Sequence, residues 1–269
     1  MKMDRSGFTL VEMAIVLVIV GLLLSGGMTI LATQQEVRRV QETTDMLNEA
    51  RDAVIGFAIA NGRLPCPAST TSAGVESFCT NNTPVACGAA TTIPQPHGRC
   101  TNFYNGFLPA VTLGISSVDS GGYAVDGWGT TQNRIRYSVT NYKDPVNLIF
   151  SFTATTGMRT TTMSTLSTLP PSSYLNVCNS ATGISATTCG AALGNTLTSN
   201  APVVVYSLGK NAATGGTGLD EAANLNADSV FISHSPVGAG GTNGEFDDLL
   251  VWLSPSILFN RLVAAGVLP

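Results

Sequence analysis

The sequence predicts an α+β protein: a long N-terminal α-helix packed on an antiparallel β-sheet globular domain that is stabilised by disulfides. Three observations predict it. No proline occurs between Phe8 and Asn61, and that stretch opens with an uncharged apolar run. Beyond residue 134, short β-branched and aromatic runs alternate with turn-rich segments. Helix first and strands afterwards is the order of an α+β chain. All six cysteines, Cys66, Cys79, Cys87, Cys100, Cys178 and Cys189, lie beyond the apolar run.

The helix divides in two. From residue 13 to 32 there are 20 residues without a charge. At about 1.5 Å of rise per residue they span about 30 Å, the thickness of a bilayer's hydrocarbon core. Residues 8–32 are therefore expected to form a transmembrane helix, with membrane lipid as its partner. A secretory signal peptide would carry a shorter apolar region and end at a small-residue cleavage site; Ser25-Gly26-Gly27 is a weak site of that kind. A plain signal anchor is the other rival. Lys2 and Arg5 favour an inside amino terminus, with Arg38 and Arg39 opposing them on the far side. Over 33–61, Val37, Val40, Thr44, Leu47, Val54 and Ala58 recur at helical spacing, while Glu36, Arg38, Arg39 and Glu42 fill other faces. This is an amphipathic continuation whose apolar stripe should pack on the domain. A coiled-coil stalk would need more heptads than fit here. Asn61-Gly62 supplies the stop, and Pro65 and Pro67 prevent resumption.

Residues 63–269 are long enough to bury a core of their own. Residues 68–105 form a loop zone rich in Ser, Thr, Asn, Pro and Cys. Strands are expected at 135–139, 146–152, 203–208, 230–233 and 249–253. Residues 153–173 are a Thr/Ser-rich stretch with Pro170-Pro171 near its end, read as a flexible or edge insertion. The chain closes with a helix: Ser254 suits the N-cap, Pro255 the first helical position and Gly266 the C′ position.

Composition narrows the function. The net charge of −4 disfavours nucleic acid, which needs a basic face. Charged residues are 11 % of the chain, below the usual quarter, and Thr, Ser, Gly and Asn supply the polarity instead. That balance and the even cysteine count point to an exported, oxidised domain. Six cysteines allow 15 pairings. Local closure favours Cys178 with Cys189 and Cys79 with Cys87, inside a longer Cys66–Cys100 loop. Zinc is disfavoured, since no Cys-x-x-Cys is present. The two histidines, His97 and His234, sit among Pro, Gly or Ser, and no nucleophile elbow or zinc-protease motif occurs. An enzyme is not expected.

The carboxylate of Glu12 lies just inside the apolar span, where an acid is costly and usually has a partner or a task. Snorkelling to headgroups is the plain reading. The surrounding stretch Ser6-Gly7-Phe8-Thr9-Leu10-Val11-Glu12 resembles the processing site of type IV prepilins and type II secretion pseudopilins. Asp4 and Ser6 depart from the commonest leaders. The resemblance implies a leader at 1–7, cleavage after Gly7 by a prepilin peptidase, N-methylation of Phe8, and Glu12 as the assembly acid. Other pilins or pseudopilins and an inner-membrane assembly platform are the partners it implies, and the bacterial inner membrane, with the domain outside, is the location. The chain is larger than typical major pilins, which favours a minor subunit of a type IV pilus or a secretion pseudopilus. A tip-proximal adhesin and a membrane-anchored exported protein with no filament role are the alternatives.

Cleavage would place a new ammonium at Phe8 one helical turn from Glu12. A staggered neighbouring copy in lipid could then neutralise each group. Gly21, Gly26 and Gly27 cost about 1 kcal/mol each relative to alanine in a helix, and this glycine region is expected to bend or melt in a filament. Farther on, the segment from Ser207 through Asp220-Glu221 to Asp228 is similar to the calcium-binding loop of major pseudopilins, although 222–225 depart from its spacing. The similarity implies Ca2+ held by Asp220, Glu221 and Asp228. Asp247-Asp248 before the last strand is a second, weaker acidic pair.

Overall fold

The computed structural model describes residues 9–83, 87–155, 157–160, 174–214 and 216–268, and only the backbone of 23–32 and of Thr160. Gly7, Phe8 and residues 161–173 of the insertion lie outside the described residues.

Helix α1 runs unbroken from Leu10 to Asn61, through the glycine region. Gly62 ends it in the left-handed conformation, φ 68°, with its N–H on the Ala58 carbonyl. Strands β1 (Phe78–Cys79) and β2 (Ala90–Thr91) form a small hairpin inside the loop zone. The main sheet has the order β3-β4-β7-β9, with β3 Gly106–Phe107, β4 Arg136–Val139, β7 Val203–Ser207 and β9 Leu249–Leu253. All its neighbours are antiparallel, and β7 pairs β9 in register from Val203↔Leu253 to Ser207↔Leu249. The short helix α2 (Ala110–Leu113) follows β3. A second sheet has the order β6-β5-β8, from β5 Leu175–Cys178, β6 Thr196–Ala201 and β8 Val230–Ile232. Helix α3 (Leu219–Leu225) packs on β8, and α4 (Pro255–Ala264) packs on α1.

The side-chain alternation of a strand explains the layering. Val203 and Val205 of β7 face α1, where they pack with Leu47, Val54 and Ala58. Val204 and Tyr206 point the other way, onto Leu175, Val177 and Phe231 of the second sheet. The main sheet is therefore buried on both faces, between a helix and a sheet.

Four expectations are corrected. Residues 146–152 do not form a strand: the Asp144 carboxylate accepts the N–H groups of Val146 and Asn147, and Leu148 turns left-handed at φ 56°. The second sheet is not purely antiparallel, because β8 runs parallel to β5. The chain between them crosses over through β6, β7 and α3, the long connection that a parallel pair requires. Val37 is not part of the buried stripe, being 64 % exposed. The domain meets α1 lower, where the Gly127 N–H donates to Thr43 Oγ1 at 2.9 Å and Thr43, not Val37, is buried. Finally, residues 219–225, read as loop, are helical.

Three disulfides close, Cys66–Cys100, Cys79–Cys87 and Cys178–Cys189. Just past the end of α1, Arg63 forms a buried two-pronged ion pair with Glu76, at 2.7 Å and 2.6 Å, which fixes the chain's exit from the helix. The same carboxylate accepts the Cys66 N–H, joining the pair to the first disulfide.

Candidate functional site

Two places concentrate functional chemistry: the amino-terminal end of α1 and a set of carboxylates around α3. At the first, Thr9 is the N-cap, with extended backbone at φ −76° and ψ 151°. The Thr9 hydroxyl accepts the Glu12 N–H at 3.3 Å, and Glu12 Oε2 accepts the Thr9 N–H at 2.9 Å and its hydroxyl at 2.8 Å. This reciprocal pair satisfies two of the N–H groups that a helix start leaves orphaned. Sequence reasoning did not anticipate that role for Glu12, although Thr followed three residues later by Glu is its signature. Gly7 and Phe8, the expected cleavage and methylation residues, lie outside the described residues.

The helix beyond this cap carries its apolar side chains uncovered. Leu10 is 90 % exposed, and every described large apolar residue from Leu10 to Leu22 is exposed. So extended an apolar surface needs another surface to cover it. Among the described residues no helix is long and apolar enough to cross a membrane. The uncharged run at 13–32 passes at residue 23 into side chains that are not described.

The second place does not gather the three acids named from the calcium-loop similarity. Successive residues of a helix point about 100° apart, so α3 sends Asp220 and Glu221 to different neighbourhoods. Asp220 accepts from the Ala181 N–H at 2.6 Å and Asn243 Nδ2 at 3.0 Å, and lies 3.3 Å from His234 Nε2. Asp228 closes a local turn with Asn226 and the Val230 N–H. Glu221 instead meets Asp247 and Asp248, with one oxygen from each of the three within 4.8 Å of the others. The structure thus brings the acidic pair before β9 to Glu221. Their distance in sequence from α3 hid the grouping.

The two aspartates are perturbed. Burial, opposed by the Asn211 N–H and aided by the charges of Glu221 and Glu245, pushes Asp247 up to about 6. Burial pushes Asp248 up to about 8, opposed by the Asn224 amide and aided by Glu221 and Asp247. Asp248 accepts that amide at 2.7 Å.

His234 is the other residue whose partner was unforeseen. Its ring stacks on Phe246 with centroids 3.9 Å apart, beside a surface cleft of about 680 Å³ that Asp220 and Asn243 also line. Its Nε2 faces Asp220 and its Nδ1 lies 2.8 Å from the Ser235 carbonyl. Both ring nitrogens thus lie against oxygens of the protein itself. Here the pair joins α3 to the segment after β8.

Residues 2–28 match the family model described as the prokaryotic N-terminal methylation motif, the hallmark of type IV prepilins and pseudopilins. No curated protein and no solved structure matches the chain.

Proposed function

We propose that this chain, pilin-like by its methylation motif, is a minor pilin or pseudopilin whose activity is mechanical: polymerisation into a type IV pilus or a type II secretion pseudopilus. One observation carries the reading. From Leu10 onward the methylation motif lies on a helix whose apolar side chains stand free of the domain over Leu10–Leu22. A helix of that kind has its apolar face available for lipid first and for other copies afterwards. The 20-residue uncharged run at 13–32 supports a span of the inner membrane with residues 63–269 outside. Three disulfides suit that oxidising side.

In this reading a prepilin peptidase cuts after Gly7 and methylates Phe8. The new ammonium of one copy pairs with Glu12 of a neighbour in a dry bundle, which sets their axial stagger. An assembly platform extracts the processed subunits from the membrane. The test is fractionation of cells with and without their prepilin peptidase. With the enzyme, the chain should appear in sheared surface filaments or in a periplasmic pseudopilus. Without it, the chain should stay in the inner membrane at its full mass. Equal distribution in both strains would refute the assignment.

A further inference from the structure

We infer that a pocket beside the Cys66–Cys100 disulfide binds a saccharide unit that bears a carboxylate, of the uronic-acid class. The inference goes beyond filament assembly and does not rest on it, since every residue in it belongs to the globular domain.

The pocket has a volume of about 430 Å³, within the size range of small-ligand clefts. Two cations line it, Arg99 and Lys143, in a chain whose net charge is −4. Among the described residues no aspartate or glutamate lines it, and none lies within ion-pairing distance of Lys143. Burial lowers the His97 imidazole below its usual range, a hydrogen bond at Thr80 opposes this, and the charges of Arg99 and Lys143 add to it. Both cations therefore act on one locality.

Backbone builds the arrangement. The chain after β4 turns back at Asp144, where the Asp144 N–H donates to the Ile149 carbonyl at 2.8 Å and the Ser151 N–H to the Tyr142 carbonyl at 3.1 Å. Lys143 and Phe150 are thereby paired across the two arms. Opposite residues of an antiparallel pair share a face, and Lys143 Nζ stands 5.6 Å from the centre of the Phe150 ring. His97 ties the other wall to this one: its carbonyl accepts the Phe150 N–H at 2.9 Å, and its Nδ1 accepts the Arg99 N–H at 3.0 Å. The Arg99 guanidinium donates to the Thr83 carbonyl, and the next residue, Cys100, is fixed by its disulfide. Phe103 is held by β4, its carbonyl accepting the Val139 N–H at 2.9 Å. Its ring lies 4.9 Å from that of Phe150, and both rings are half-buried.

The lining selects the ligand. A guanidinium and an ammonium together favour an anion, and the planar guanidinium matches a carboxylate. The two phenylalanines offer an apolar wall for the C–H face of a sugar ring. Asn82 and Asn141 carry amides, which both donate and accept, as hydroxyl groups require. Asn82 Nδ2 donates to the Leu148 carbonyl at 2.7 Å, while its Oδ1 is buried with no partner. A ligand hydroxyl donating to that oxygen would remove the cost of leaving it unpaired. Free phosphate would use the cations alone and leave the wall and the amides idle. A nucleic-acid strand draws its affinity from many neutralised phosphates, and two cations supply few.

The test is calorimetric titration of the full-length, detergent-solubilised chain with trigalacturonic acid, its full methyl ester, inorganic phosphate and oligothymidylate. The expected result is one site that takes the free acid. The ester keeps the rings and hydroxyls but loses the charge, so it should bind about tenfold more weakly or worse. Arg99→Gln, Lys143→Gln and Phe150→Ala should each weaken the free acid by a similar factor. Lys210→Gln should leave binding unchanged, since Lys210 does not line the pocket. The acid–ester comparison uses the wild-type chain and holds whether or not a pocket variant folds. No heat with the free acid at millimolar concentration, or equal binding of acid and ester, would overturn the inference. Tighter binding of phosphate or oligothymidylate than of the free acid would also overturn it, as would undiminished binding in Lys143→Gln.

Discussion

Thr9 and Glu12 cap the open end of α1 reciprocally, the carboxylate accepting the Thr9 N–H and hydroxyl while the hydroxyl accepts the Glu12 N–H. Glu12 therefore has two separable capacities, as a hydrogen-bond acceptor that starts the helix and as a charge for a neighbouring amine. Glutamine keeps the first and loses the second. Glu12→Gln should preserve the helix content of the detergent-solubilised chain and yet block incorporation into filaments. Thr9→Val should do the reverse, costing about 0.5–2 kcal/mol of local helix stability while assembly persists. Circular dichroism together with filament fractionation checks both. If Glu12→Gln assembled normally, the pairing with a neighbouring ammonium would be lost as an explanation.

The buried Arg63–Glu76 pair should be costly to break from one side. Glu76→Ala strands a guanidinium that is 5 % exposed and removes the acceptor of the Cys66 N–H. A loss of about 3–5 kcal/mol is expected, read from the urea midpoint. Replacing both partners by apolar residues of similar volume should cost much less, since no charge is then left buried alone.

Gly127 seats the domain on the helix. A Cβ there would stand 2.5 Å from the Arg39 carbonyl oxygen and 2.9 Å from its Cα. The turn is held by Asp126, whose carboxylate accepts the Trp128 N–H, Asn133 and Ser207. Gly127→Ala should destabilise by about 1–3 kcal/mol, as overpacking does, and should raise hydrogen exchange of the α1 amides near Thr43. Gly129→Ala should cost through its left-handed φ of 70° alone and leave that exchange unchanged, since open space surrounds it.

Acid should loosen the loop that carries Asp119. Burial pushes the Asp119 carboxyl up, but the Tyr123 N–H, the Arg134 hydrogen bond and charge, and the Gly121 N–H outweigh it, so its net pKa is lowered from 3.8. A folded value below the unfolded one means the unfolded chain binds the proton more tightly. The contribution is present above 3.8 and lost as pH falls through the lower folded value. Wild type and Asp119→Asn should therefore differ in urea midpoint at pH 6 and converge well below pH 3.8.

The parts of the fold that were legible in the sequence rest on local chemistry. Asn61-Gly62 announced the end of α1, β9 coincides with 249–253, and Ser254-Pro255 marks the start of α4. The cysteine pairs with short loops were readable for the same reason. What was not legible depends on contacts distant in sequence. β5 and β6 carry Asn, Thr and Ser, and become strands by pairing with one another and with β8. The 146–152 run has strand-like residues, but the Asp144 side chain captures its backbone first. The acid cluster needed α3 folded against the entry to β9 before Glu221 and Asp248 could meet.

Mass spectrometry of the native amino terminus tests the central claim most directly. Protein recovered from its own cell envelope should begin at Phe8 and carry one methyl group on its amine. An intact Met1, or an amino terminus created near Gly27, would contradict the claim and leave the long helix as a simple tether.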